Sequence, residues 1–137
     1  MQDGDLGTWE SKRILLVLED TCCHITWKNR LIRDREPLDP DHWEWALVTI
    51  KTIMRYAYNS VPVEVITFES EVIAGLAAVW FTRYDVDVAS VQYYDFKAFT
   101  RSLTWRRNTI QEIIDTEPDR LDGYGQYGRQ IMFNGEF

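Results

Sequence analysis

Two kinds of hydrophobic pattern alternate along this chain. Residues 12–18 read Lys-Arg-Ile-Leu-Leu-Val-Leu, an unbroken apolar run behind a basic pair. Such a run is apolar on both faces and fits a central strand covered by helices on each side. Residues 63–68 are β-branched and short and predict a second strand, and residues 86–94 a third. Helical spacing fills the gaps. Asp39-Pro40-Asp41 supplies an N-cap, a first-turn proline and acidic charge, after which Trp43, Ala46, Leu47, Ile50, Ile53, Met54 and Ala57 recur on one stripe. Ser70 caps a second helix through Ile73, Ala77 and Trp80. Asp95 caps a third through Phe96, Phe99 and Leu103. The spacing then predicts a helical restart at Thr104 that runs through Ile110, Ile113 and Ile114 until Pro118. A last strand is expected within residues 129–134.

Strands alternating with helices imply an α/β domain: a three-layer, Rossmann-like fold with a mostly parallel sheet and right-handed crossovers. Residues 1–11 read as a flexible leader and residues 12–137 as a single domain. The polar stretch from Glu19 to Asp39, with a short element near Ile25–Ile32, is long for a loop in a compact domain, and such loops are often functional.

Composition narrows the function classes. The 137-residue chain carries a formal net charge of −7, which repels phosphate backbones and anionic lipid, so no strong nucleic-acid or membrane binding is expected. No apolar stretch reaches the length of a membrane span and the polar leader lacks a secretory pattern, so a cytoplasmic protein is expected. Cys22 and Cys23, the two cysteines, are expected as unbridged thiols in a reducing compartment.

In open parallel sheets, ligands sit beyond the carboxyl ends of the strands. Glu19, Asp20 and Thr21 follow the first strand, Thr67, Glu69 and Ser70 close the second, and Asp95 and Lys97 follow the third. Carboxylates converging there would suit Mg²⁺, and Thr67 or Ser70 would suit a phosphate.

This arrangement resembles the haloacid dehalogenase-like (HAD) phosphatases, whose first strand ends in Asp-x-Asp-Gly-Thr. Residues 14–21 match its frame with Thr21 as the threonine. Thr67 in Ile66-Thr67-Phe68-Glu69-Ser70 fits the second motif. Arg106 or Arg107 in Thr104-Trp105-Arg106-Arg107 stands where the family often has Trp-Lys, and Asp115-Thr116-Glu117-Pro118 resembles the acidic fourth motif. The resemblance implies catalytic roles for Glu19, Asp20, Thr21, Thr67 and Arg106, and metal ligation by Glu19 and Asp115. The departures point the other way. In this frame Val17 replaces the nucleophilic aspartate, Glu19 the general acid and Asp20 the glycine, and valine has no lone pair with which to attack.

Six tryptophans and seven tyrosines are more than folding requires. Aromatic residues anchor interfaces, and Trp45, Trp105 and Tyr124 are the expected anchors. The sequence therefore predicts a non-catalytic or degenerate HAD-like protein, of the style of a bacteriophage accessory protein. It is expected to need no cofactor and to act on a protein partner or as a homodimer. The alternative is a Mg²⁺-dependent phosphohydrolase or nucleotide-processing enzyme.

Overall fold

A computed structural model describes residues 12–28, 36–106 and 108–135. The expected leader, Arg107 and the second half of the expected Ile25–Ile32 element lie outside these residues. Five parallel strands form the main sheet: β1 (Arg13–Val17), β4 (Val63–Thr67), β5 (Ser90–Tyr93), β6 (Ile110–Asp115) and β7 (Gly128–Gln130). Their order across the sheet is β5-β4-β1-β6-β7. The antiparallel hairpin β2 (Cys23–His24) and β3 (Glu44–Trp45) projects from the loop after β1. The helices are α1 (Leu47–Tyr58), α2 (Glu71–Arg83), α3 (Phe96–Arg106) and the single turn α4 (Pro118–Leu121). No described helix is long and apolar enough to cross a membrane.

The two-faced apolar run accounts for the layering. Alternate residues of a strand point to opposite faces. Ile14, Leu16 and Leu18 pack with Ile53, Ile73, Trp80 and Phe81 on one face. Leu15 and Val17 pack with Ile66, Phe99, Leu103 and Tyr124 on the other. The expected three-layer, mostly parallel α/β architecture is therefore the observed one. The expected caps form too: Ser70 Oγ accepts from Ile73 N at 3.2 Å and Asp95 Oδ2 from Ala98 N at 3.1 Å.

Two elements differ from the sequence pattern. Ile110, Ile113 and Ile114 do not extend a helix. The α3 helix is followed by a turn in which Thr109 N donates to Arg106 O, and the isoleucines form β6 beside β1. Ile113 enters one core layer and Ile114 the other, so β-branched residues buried on both faces prevail over helical spacing. The first helix also begins later than its cap signal. Asp39 and Pro40 close only a 3₁₀ turn (Pro40–His42), Trp43 is extended, and α1 starts at Leu47. Ala46 provides no side-chain cap; instead Asn134 Oδ1, from the far end of the chain, accepts from Val48 N at 3.0 Å.

That shift turns both tryptophans inward. A helix would have pointed Trp43 and Trp45 apart, whereas an extended chain puts them on one side. Trp45 stacks on Trp80 with centroids 3.7 Å apart and flanks Trp43 at 5.8 Å. Its Nε1 donates to Pro40 O at 2.8 Å. Trp45 is thus a half-buried structural residue, and Tyr124 is only 1% exposed. Of the three expected interface anchors, only Trp105, 76% exposed, faces solvent. Accordingly, Trp45→Ala should lower unfolding free energy by about 3 kcal/mol, while Trp105→Ala should stay within about 0.5 kcal/mol of wild type. Urea denaturation of the two variants checks this.

Candidate functional site

The carboxyl end of β1 leads into a tight turn. Leu18 O accepts from both Cys22 N (2.9 Å) and Cys23 N (3.1 Å), and Asp20 adopts a left-handed conformation at φ 66°, which aspartate tolerates better than most residues. The turn delivers Glu19, Asp20 and Thr21 between the ends of β4 and β6. Thr116 ties it to β6: its Oγ1 donates to Asp20 O at 2.7 Å, and its N–H donates to Thr21 Oγ1 at 3.2 Å.

Asp115, fully buried at the end of β6, is the centre of the cluster. Arg120 grips it with two hydrogen bonds, Nε to Oδ2 at 2.8 Å and NH2 to Oδ1 at 2.9 Å. Tyr124 Oη donates to Oδ2 at 2.7 Å, Glu117 N to Oδ1 at 3.1 Å and Thr21 Oγ1 to Oδ1 at 3.4 Å. Five donors therefore fill the carboxylate. The same guanidinium NH2 reaches Glu19 O at 3.3 Å and lies 3.8 Å from Asp20 Oδ2. Burial opposes the charge on Arg120, but its bonds to Asp115 and that carboxylate's charge outweigh it and push its pKa up. Burial and then the Asp115 charge push the Tyr124 phenol up, so it stays a donor.

Glu19 is 6% exposed. Its Oε2 accepts from Phe68 N, just past β4, at 2.9 Å, while Oε1 is buried with no hydrogen-bond partner. Burial raises its pKa against the smaller opposing pull of its backbone hydrogen bonds, Thr67 and Arg120. Thr67 Oγ1 accepts from Glu69 N at 3.1 Å, closing the turn after β4. Cys22 and Cys23 are free and buried. Burial pushes both thiols well up, reinforced by Glu19 among the neighbouring charges, which keeps them as unreactive thiols. His24 stacks on Phe133 at 3.9 Å and meets Asp20 at 3.2 Å.

Glu19, Asp20, Thr21, Thr67 and Asp115 are therefore brought together as expected. Arg106 is not. It ends α3 toward the amino ends of the strands, 4.0 Å from Glu64 and over the rings of Tyr94 and Phe99. Antiparallel travel of α3 carries its last turn away from the strands' carboxyl ends. The cation at the site is Arg120, which the motif comparison passed over. Its signal is local: Pro118 starts a helical turn just after β6, folding a residue five positions beyond Asp115 back onto it.

Two stability results should follow. Asp115→Ala leaves a buried guanidinium and phenol without their acceptor and should cost about 3–5 kcal/mol. Glu19 has a folded pKa raised above its unfolded value, so the folded state holds its proton longer. Stability from this group is present below the unfolded pKa of about 4.5 and is lost as pH rises through the folded value. Glu19→Gln should flatten that part of the fall. Urea midpoints measured across pH for both proteins test the sign; equal slopes would contradict it.

No family model matches this chain, and no curated protein matches it by sequence. Among solved structures, a chain of the Pnkp1/Rnl/Hen1 RNA repair complex superposes with a TM-score of 0.69 at 9% identity, covering 93% of this chain and 44% of that one. This chain thus spans less than half of that neighbour's length. D,D-heptose 1.7-bisphosphate phosphatase from B. bronchiseptica, complexed with magnesium and phosphate, superposes with a TM-score of 0.51 at 14% identity, covering 85% and 76% of the two chains. At such identities the likeness speaks for architecture alone: the chain has a Rossmann-like α/β fold with a mostly parallel sheet, shared with these neighbours.

Proposed function

We propose that this protein is a catalytically degenerate HAD-like domain that acts through protein–protein contacts. The observation that carries the reading is the Arg120 guanidinium. It sits among Asp115, Asp20 and the Glu19 carbonyl, an all-oxygen set of the kind that holds Mg²⁺. The residues do not fit a metal in this arrangement. Both Asp115 oxygens are saturated by hydrogen-bond donors, and a second cation would be repelled by the first. Val17, where the resemblance would require a nucleophile, is fully buried in the apolar layer with Ile66 and Phe99. Two carboxylates and a carbonyl already facing one guanidinium also make a poor receptor for a phosphate dianion.

The alternative, a Mg²⁺-dependent phosphohydrolase, draws on the meeting of Glu19 with the Thr67–Phe68 turn and on a structural neighbour complexed with magnesium and phosphate. Calorimetric Mg²⁺ titration and phosphate release from nucleotide and sugar phosphates separate the two readings. The expected result is neither heat nor turnover for the wild type. Mg²⁺-dependent turnover that Glu19→Gln abolishes would establish the enzyme instead. Arg120→Ala, which empties the cation position, should bind Mg²⁺ more tightly than the wild type.

A further inference from the structure

We infer that the outer face of α3 is a docking surface for an acidic, amphipathic segment of a partner protein. This rests on the interaction reading above and names the chemistry of its partner.

Charge is spread unevenly along the chain. Four of its 15 basic residues fall within residues 97–107, and none of its 22 acidic residues does. Lys97, Arg101 and Arg106 belong to α3. Arg106 is spent inward, beside Glu64 and over the Tyr94 and Phe99 rings. Lys97 and Arg101 are exposed and make no ion pair with a described residue. The acid at the helix start, Asp95, is occupied as the cap on Ala98 N at 3.1 Å. Lys97 and Arg101 stand one turn apart, about 6 Å, where like charges repel. Two unopposed cations in a chain of net charge −7 favour an external pair of carboxylates.

Apolar surface flanks the pair on both sides. Trp105, one turn beyond Arg101 on the same stripe, is 76% exposed. On the other flank, Thr100 and Thr104 line a depression of about 380 Å³ between α3 and residues 122–127, together with Leu103, Gly125 and Tyr127. Gly123 permits that close approach, since a Cβ there would lie 2.9 Å from Phe96 Cζ and Thr100 Cγ2. Across the face of the helix the order is therefore depression, cations, indole.

An acidic amphipathic helix matches all three features. Carboxylates one turn apart meet Lys97 and Arg101, and apolar side chains beside them meet the depression and the indole. Nucleic acid matches less well. Two cations allow about two phosphate contacts, and a longer polyanion runs off the patch onto a chain that is otherwise strongly acidic. A short segment with few charges stays within it.

Fluorescence anisotropy on the full chain tests this with a labelled synthetic helix carrying glutamates one turn apart and leucines beside them. The expected result is saturable binding that weakens as salt rises. Arg101→Glu should weaken it by about tenfold or more. Trp105→Ala, at a site with little role in stability, should weaken it by about tenfold. Lys51→Glu makes the same charge change on exposed α1, which packs in the other core layer, and should leave binding within about twofold of wild type. Circular dichroism confirms folding of each variant. A probe with glutamine for glutamate should not bind. Absent binding of the acidic probe, binding indifferent to Arg101→Glu and Trp105→Ala, or tighter binding of a single-stranded oligothymidylate overturns the inference. Mg²⁺ titration and phosphate release are read separately, so an inert protein that ignores the acidic probe overturns this surface without touching the loss of catalysis.

Discussion

The ion pair between Asp115 and Arg120 organises the carboxyl end of the sheet. Asp115 is wholly buried at the end of a central strand, where an isolated carboxylate would be strongly disfavoured. Its two bonds from Arg120 and further bonds from Tyr124, Thr21 and Glu117 make that burial tolerable. The pair also connects separate segments. Arg120 belongs to the turn after β6 yet touches the Glu19 carbonyl, and Thr116 beside Asp115 holds the turn after β1. Three stretches of chain thus share one electrostatic centre.

That centre also shapes the functional reading. A cluster of carboxylates at the end of parallel strands is ordinarily a place for a metal ion or a ligand. Here the chain supplies its own cation. A tethered guanidinium has no dissociation to undergo, and it spends its directional donors on oxygens that a metal would need. Glu19 is left with one satisfied and one unsatisfied oxygen in a dry environment. This is the only carboxylate oxygen among the described residues that is both buried and unpartnered, and burial biases it toward the neutral form.

The aromatic residues divide by the same logic of burial and pairing. Trp43, Trp45 and Trp80 form a continuous stack under the β2–β3 hairpin, with indole N–H groups of the first two bonded to Leu38 and Pro40 carbonyls. Tyr124 spends its hydroxyl on Asp115. These rings build the interior, so their abundance alone was a poor guide to contact surfaces. What stays outside is a shorter set: Trp105, the outer stripe of α1 with Leu47, Met54 and Tyr58, and the β5–α2 face.

The sequence by itself determined the layered architecture and its caps. Residues 14–18 are apolar on both faces, and a strand between two layers hides all five. Ser70 and Asp95 act within three residues of themselves, so their capping was legible locally. It also located Glu19, Asp20, Thr21 and Thr67 at one end of the sheet, because strand ends in a parallel sheet converge, whereas Asp115 entered only through the family resemblance, since the residues before it read as helix. Tertiary structure decided the rest. Ile110, Ile113 and Ile114 satisfy helical and two-faced strand patterns alike, and only the vacancy beside β1 selects the strand. The orientation of Trp43 and Trp45 turned on a helix start that depends on Asn134, 86 residues beyond Val48. Arg120 replaced Arg106 as the site's cation for a similar reason. Charge type is visible in a sequence, but the end of the sheet at which a helix delivers it depends on where each neighbouring element stops.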